Sequence, residues 1–353
     1  MTNAINSDKR ILLIVPMRNE EKFVAQCLDS LLSQIDAFPN AVLVCVDGSS
    51  ADRTQKIIAQ YQVKYQQIVL INNPDAIKPI GNNLAIKNYE TEIDAYFILD
   101  CHSQYASNYI SSCLEVLDCT DADVVGGYWQ IEPGIPCLIG RIIAATTSHR
   151  FGMAATYRRK HRLPECESDC VPFGCFRGDF FKKFGYFDER LVRNEDSELF
   201  SRVKRHGGKI ILSPKIIVTY FCRSTFRGII QNCMVNGKWN IYSTWISGYG
   251  LQFRHFVPLF FVLSLIGLPI LSTIFQPVLW LWLVMVCLYC LLAFVSSIQA
   301  CEKQYQYIPL FCFTFFMIHI SYGIGSLIGI LTLPIFATKS TEERQRPLAD
   351  RIP

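Results

Sequence analysis

Apolar residues follow two rhythms along the first part of the chain. Residues 11–15, 41–46, 68–71 and 95–99 are continuous apolar runs of strand length. Between them the spacing lengthens. Within 20–35, Phe23, Val24, Cys27, Leu28, Leu31, Leu32 and Ile35 recur at helical intervals. Asp52 stands where it caps a helix running through Ile57 and Ile58, and a third helix is predicted over 76–89. Strands apolar on both faces, alternating with helices, predict an α/β domain built on a doubly wound, Rossmann-like and mostly parallel sheet. Ligands of such sheets bind beyond the carboxyl ends of the strands. The polar residues found there are Arg18 and Glu20, then Asp47, then Asp100 and His102, and they are expected to converge on one crevice.

After Val124 and Val125 the pattern loosens into GGYWQIEPGIP. A helix is predicted to open at Asn194-Glu195-Asp196 and to stop at Gly207-Gly208, and 216–220 resembles a late strand. Residues 226–245 are amphipathic and aromatic, which predicts an interfacial helix. From Leu251 to Phe336 there are only three formally charged residues, Arg254, Glu302 and Lys303. Within that stretch 256–275, 278–297 and 307–336 are each long enough to cross a hydrocarbon core of about 30 Å. The expected organisation is a globular domain over 1–223, an interfacial segment over 224–254, a membrane domain of about three spans over 255–336, and a polar tail over 337–353. Three spans put that tail on the far side from the globular domain. Its Lys339, Arg344, Arg346 and Arg351 pull the other way under the positive-inside rule. His319 lies inside the last predicted span, where a hydrogen bond to a neighbouring helix is expected.

Composition changes this picture in two places. The fifteen cysteines are odd in number and scattered, several within apolar runs. The polar start MTNAINSDKR leads straight into the first strand, so a cytosolic domain with reduced thiols is expected. His161, Cys166, Cys170 and Cys175 lack paired CxxC spacing, and a zinc site is not expected there. The net charge of +4 is modest, but Arg141, Arg150, Arg158, Arg159, Lys160 and Arg162 fall where no acidic residue occurs between Glu132 and Glu165. That stretch reads either as a solvated loop or as a surface facing anionic lipid or a phosphate-bearing substrate.

The chemistry is concentrated in short motifs. FILDCHS ends a strand with a carboxylate and an imidazole two residues apart. Oxygen ligands suit Mg2+ and Mn2+, and imidazole is better tolerated by Mn2+. Together, VPMRNEE, VDGSSADRT, GNNLAI, LDCHS and RNEDSELFSRVKRHGG resemble the family 2 glycosyltransferases in content and order. The likeness is strongest to the ExoA-type members of exopolysaccharide synthesis. It rests on the Asp-x-His form of the metal motif, the passage from Asp169 to Gly174, the NED triplet, and His319, Gly323 and Gly325 in the last span. It covers about residues 10 to 333.

This resemblance implies a GT-A fold and inverting transfer from a nucleotide-sugar, of UDP type, with a divalent metal (Mg2+ or Mn2+). It further implies a polyprenyl-diphosphate-linked acceptor, contact with membrane lipid, a multi-pass place in the plasma (inner) membrane, and possible other glycan-assembly proteins as partners. Nucleic acid is not an expected partner. Pro16, Arg18, Glu20 and Asp47 fall in the family's nucleoside pocket. Lys78, Gly81 and Asn83 fall on the donor side, although Lys78 reads equally as a surface lysine. Asp100 falls at the metal, with His102 as a second ligand or a direct diphosphate contact. Asp196 falls at the base with Glu195 beside it, a pair that also suits a helix N-terminus. Val46 stands where many members carry another aspartate, which leaves the base of the nucleotide open. The spacing from Gln231 to Trp239 is too wide for the motif of processive synthases. Two alternatives remain: a polyprenyl-phosphate sugar synthase, and a non-catalytic membrane subunit of a glycan assembly. Val46 and His102 favour the latter, while Asp47, Asp100 and Asp196 oppose it.

Overall fold

A computed structural model describes residues 7–89, 93–153, 164–248 and 253–345. The chain divides into two units, 1–132 with 155–222, and 133–154 with 223–353. The predicted domain over 1–223 is therefore interrupted: residues 133–154 fold with the helices that follow it in sequence.

The first unit is an α/β domain. Strands β1 (Ile11–Met17), β2 (Val42–Asp47), β3 (Ile68–Asn72) and β4 (Ala95–Ile98) form its parallel part, with β1 between β2 and β4 and β3 beyond β2. Helices α1 (Val24–Ile35), α2 (Thr54–Gln62) and α3 (Lys78–Asn88) connect them. Ile11 to Val15 are fully buried, and alternate side chains enter two cores: Ile11, Leu13 and Val15 in one, Leu12 and Ile14 in the other. A strand covered on both faces has no polar side, which is why these strands read as unbroken apolar runs.

The rest of the sheet was less visible in the sequence. Beyond β4 it continues through short or mixed strands, β5 (Ser103–Tyr105), β6 (Val124–Pro133), β7 (Cys166–Glu167), β8 (Cys175–Arg177) and β9 (Ile210–Cys222). The β4–β8, β6–β8, β5–β9 and β7–β9 pairs are antiparallel. Strand β9 extends well beyond the predicted 216–220, because Ser213, Pro214 and Lys215 break its apolar run without ending its pairing. Helices α4 (Tyr109–Cys119), α6 (Phe180–Phe184) and α7 (Glu195–Arg205) complete the unit; of these the sequence predicted α7.

The second unit is helical: α5 (Leu138–Ser148), α8 (Phe226–Ser247), α9 (Phe253–Ser272), α10 (Pro277–Ala300) and α11 (Ile308–Gln345). Three stretches are long and apolar enough to cross a bilayer, His255–Ser272, Pro277–Ala300 and Tyr305–Thr338. They coincide with the three predicted spans. Helix α8, predicted as interfacial, packs lengthwise and in parallel along α11. A Cβ on Gly237 would lie 2.2 Å from the Tyr322 carbonyl, and one on Gly325 would lie 2.1 Å from that of Met234. Small residues let the two backbones meet, as they do in membrane helix pairs. His319 Nε2 lies 2.7 Å from the Phe151 carbonyl, which can only accept, so this nitrogen carries the proton. Nδ1 then accepts from the Tyr289 hydroxyl at 2.9 Å. His319 thus ties α10 and the turn after α5 to α11.

Candidate active site

The parallel strands β1 and β4 lie side by side while their connections run to opposite sides, and this switch point opens a crevice at their carboxyl ends. The turns there are zipped together. Asn19 N–H donates to Ser50 Oγ at 2.9 Å, Ala51 N–H to Asn19 Oδ1 at 2.8 Å, and Glu20 N–H to Thr54 Oγ1 at 2.7 Å. Asp52, the predicted cap, accepts from Thr54 N–H at 2.9 Å and from Glu21 N–H at 3.1 Å, so it starts α2 and holds the turn after β1. Asn19, Ser49, Ala76 and Asn194 all have left-handed backbones, with φ between 54° and 60°. Non-glycine residues in that region are strained and concentrate at functional sites. All four lie in loops of this crevice.

Asp100 and His102 stand on the turn after β4. Asp100 Oδ1 accepts the His102 amide at 2.9 Å and lies 3.5 Å from His102 Nδ1. Glu20 Oε1 reaches the same imidazole nitrogen at 3.1 Å, and the Phe23 ring lies 5.0 Å from the imidazole. Burial alone would raise the Asp100 carboxyl. The hydrogen bond from His102 and the charge of Lys78 outweigh it and hold Asp100 below the usual carboxylate range. The backbone of Asp100 is clamped by Tyr105, whose hydroxyl accepts the Asp100 N–H at 2.8 Å and donates to its carbonyl at 3.0 Å. Burial keeps this phenol protonated. Tyr105 was missed in the sequence because β5 is too short to show a period.

Lys78, in the first turn of α3, joins this turn to α7. Its Nζ lies 3.1 Å from Glu195 Oε1. Burial opposes the ammonium charge, but Glu195, Asp100 and Asp196 more than offset it and push the lysine pKa up. Asp196 behaves in the opposite sense to Asp100. Its carboxyl is raised by burial and by repulsion from Glu195, only partly offset by Lys78. The side chain still keeps solvent access, so it lines the crevice and does not sit in the core. Glu195, by contrast, is 6% exposed. Three segments distant in sequence, led by Lys78, Asp100 and Glu195-Asp196, therefore meet at one point.

Other predicted site residues are placed differently. Arg18 is exposed, with its Cβ beside Gly48 in the turn after β2, and Pro16 lies within β1. Asp47 is fully buried, and its oxygens take the Ser50 amide at 2.9 Å, the Gln55 amide at 2.6 Å and the Ser50 hydroxyl. In this conformation it shapes the turn. Asn83 is buried against the loop that leads to α7. Its amide donates to the Phe187 carbonyl at 2.9 Å and accepts the Phe187 N–H at 3.0 Å. Gly81 lets α3 approach β2, since a Cβ there would lie 2.7 Å from Val46 Cγ1. Gly81 and Asn83 thus serve the packing of α3. His161 and the cations 158–160 and 162 lie outside the described residues; Cys166 is in β7 and Cys175 is buried in β8.

The family model for glycosyl transferase family 2 matches residues 12–181. Among curated proteins, the chain is 23% identical to a dolichyl N-acetyl-alpha-D-glucosaminyl phosphate 3-beta-D-2,3-diacetamido-2,3-dideoxy-beta-D-glucuronosyltransferase of Methanococcus voltae, over 64% of this chain and 71% of that protein. It is 24% identical to the succinoglycan biosynthesis protein ExoA of Rhizobium meliloti, over 60% of this chain and 63% of that one. Among solved structures, the mannosyltransferase PcManGT from Pyrobaculum calidifontis, in complex with GDP-Man and Mn2+, superposes with a TM-score of 0.56. It has 16% identity and covers 89% of this chain and 87% of that one, a likeness of fold. With its GT-A sheet and ordered motifs, the chain carries a glycosyl transferase family 2 domain over residues 12–181 and is similar to ExoA.

Proposed function

We propose that the protein is a membrane-anchored inverting glycosyltransferase that moves a sugar from a nucleotide-sugar, of UDP type, to a lipid-linked saccharide. The convergence of Lys78, Asp100 and Glu195-Asp196 at the β1/β4 switch point carries this reading. The acceptor class is supported by two relatives, one named for transfer onto a dolichyl-linked N-acetylglucosaminyl phosphate and the other for succinoglycan biosynthesis. Three candidate spans support a multi-pass place in the membrane, and the proposal puts the catalytic domain on the cytosolic side.

Among the described residues, no cluster of three or more histidine, cysteine or acidic side chains stands ready to enclose a metal ion. Asp100 and His102 nonetheless offer a carboxylate and an imidazole 3.5 Å apart, a donor pair that fits a divalent cation sharing its remaining ligands with a diphosphate. Bound there, the cation would neutralise charge gathering on the leaving diphosphate. Lys78 brings a fixed positive charge to the same crevice. Asp196 takes the proton from the acceptor hydroxyl as that oxygen bonds to the anomeric carbon. The bond from that carbon to the diphosphate oxygen breaks on the opposite side, which inverts the configuration. Its raised pKa makes Asp196 a stronger base than a solvated aspartate.

The test is product analysis. Membranes containing the protein are incubated with a panel of radiolabelled nucleotide-sugars, and the lipid extract is treated with mild acid. Label released within a saccharide longer than one sugar is expected, because mild acid cleaves the sugar–phosphate bond to the lipid and spares the new glycosidic bond. Label released as free sugar would mean a polyprenyl-phosphate sugar synthase, and no transfer from any donor would leave a binding subunit.

A further inference from the structure

The second unit holds arginines without counterions. Arg141, Arg150, Arg223 and Arg227 are exposed, and none forms an ion pair or side-chain hydrogen bond among the described residues. The sequence offers them little local choice. No aspartate or glutamate occurs between Glu132 and Glu165, or from Arg223 to Cys301.

Packing brings the four to one end of the helices. Ile135 N–H donates to Ser224 Oγ at 2.8 Å, pinning the approach to α5 beside Arg223. Ile142 of α5 packs with Cys301 and Phe311, and His149 Nε2 lies 3.0 Å from Gln299 Oε1. At the start of α8 the Phe226 ring lies 5.4 Å from that of Phe313. Gln299, Cys301 and Phe311 mark where one candidate span ends and the next begins. Among these cations Ile135 and Leu138 stay 61% and 40% exposed. Guanidinium groups pair with phosphate through two parallel hydrogen bonds. Aliphatic side chains beside cations, at the edge of apolar spans, suit the boundary between headgroups and acyl chains.

We propose that Arg141, Arg150, Arg223 and Arg227, with Ile135 and Leu138, form a docking surface for the anionic phospholipids of the bilayer. Continuity with the spans and the lack of carboxylates within these segments select that occupant. The segment 133–154 then interrupts the catalytic domain in sequence in order to read the membrane surface.

The test uses the full chain in nanodiscs of phosphatidylcholine with a minor fraction of phosphatidylglycerol. Spin-labelled versions of the two lipids report which one is motionally restricted at the protein. The wild type should prefer phosphatidylglycerol, and the preference should fall as salt rises towards about 0.5 M, where exposed charges are screened. The variant R141Q/R150Q/R223Q/R227Q should lose it, by roughly fivefold or more, since a single cation near the surface is worth about that factor. The matching Arg→Lys variant should keep most of it, and Lys64→Gln in the first unit should keep all of it. A wild type without preference, or one whose preference survives high salt, overturns the proposal even if the glutamine variant fails to fold. So does a folded glutamine variant that still prefers phosphatidylglycerol. If its preference were intact and its KM for a lipid-linked acceptor had risen, the arginines would belong to the substrate.

Discussion

The two units meet different surroundings, and their charges show it. In the first unit many cations are answered in place: Lys9 by Asp118 at 2.5 Å, Lys183 by Asp123 at 2.8 Å, Lys209 by Asp121 at 2.5 Å, and Arg202 by Glu198. In the second unit Arg141, Arg150, Arg223 and Arg227 stand open among the described residues. Its helices meet at glycine contacts, and hydroxyls within them bond back to their own turns, as Ser297 does to Ala293 and Thr314 to Leu310. A domain surrounded by water must pair or solvate its charges within reach, whereas a membrane helix must satisfy its polar atoms internally. In the crevice proposed as the active site, Asp196 is left beside the like charge of Glu195. That imbalance falls where the general base is proposed.

The sharpest way to break this contrast is to remove the crevice's paired carboxylate. Asp100→Ala should abolish transfer and strongly weaken nucleotide binding, and EDTA should reproduce the loss in the wild type. His102→Asp should retain activity with Mg2+ or Mn2+. Isothermal titration with the nucleoside diphosphate and Mn2+ checks the binding. An Asp100→Ala protein that is fully active would remove the metal from the reading altogether.

Next comes the unpaired carboxylate. Asp196→Asn should cut turnover by roughly 10²-fold or more with donor affinity nearly unchanged, as expected when a general base is lost. The pH profile fixes the sign. A base with a raised pKa is competent only when ionised, so kcat should fall as pH drops through that value. The acid limb should therefore lie above that of an ordinary aspartate. Glu195→Gln removes the repulsion and should shift this limb downward while lowering turnover less. If Glu195→Gln were dead and Asp196→Asn normal, the base would be the other residue.

Much of this crevice was legible because its strands are buried on both faces and end in polar motifs. β1, β2 and β4 announce themselves as apolar runs, and Arg18, Asp47 and Asp100 follow directly. The Lys78 contact was not legible, because nothing local in α3 indicates that its first turn meets α7. The bonds of Asn83 to Phe187 were hidden for the same reason, since a motif position does not say which distant loop it will meet. Helix α5 escaped notice because, at 11 residues, it is too short for a span and carries Arg141 within its first turns. The parallel pairing of α8 and α11 depends on Gly237, Gly325 and Gly329, whose matching becomes visible only in three dimensions.

That seam gives the third prediction. Gly237→Ala would drive a methyl group into the Tyr322 carbonyl, 2.2 Å away, and backbone cannot swing aside as a long side chain can. Overpacking of this kind costs about 1–3 kcal/mol. Thermal unfolding in detergent should show a loss in the helical unit, while nucleotide binding by the first unit persists. Coincident loss of both would mean that the two units unfold as one.

The smallest effect should come from an exposed pair in the water-facing unit. Lys215 Nζ lies 2.7 Å from Glu115 Oε1, but the two side chains are 58% and 39% exposed. In water the attraction is weakened by solvent and by salt, and holding two long side chains in place costs entropy. Exposed pairs of this kind contribute only about 0.2–1 kcal/mol. Lys215→Ala should therefore lower Tm by no more than about 4 °C, and a double-mutant cycle with Glu115→Ala should give a coupling near the bottom of that range, falling further in salt. A coupling above about 2 kcal/mol would be inconsistent with an exposed pair. It would show that pairing in this unit carries structure as well as solvation, and the contrast with the unpaired arginines would then have to be drawn on stability.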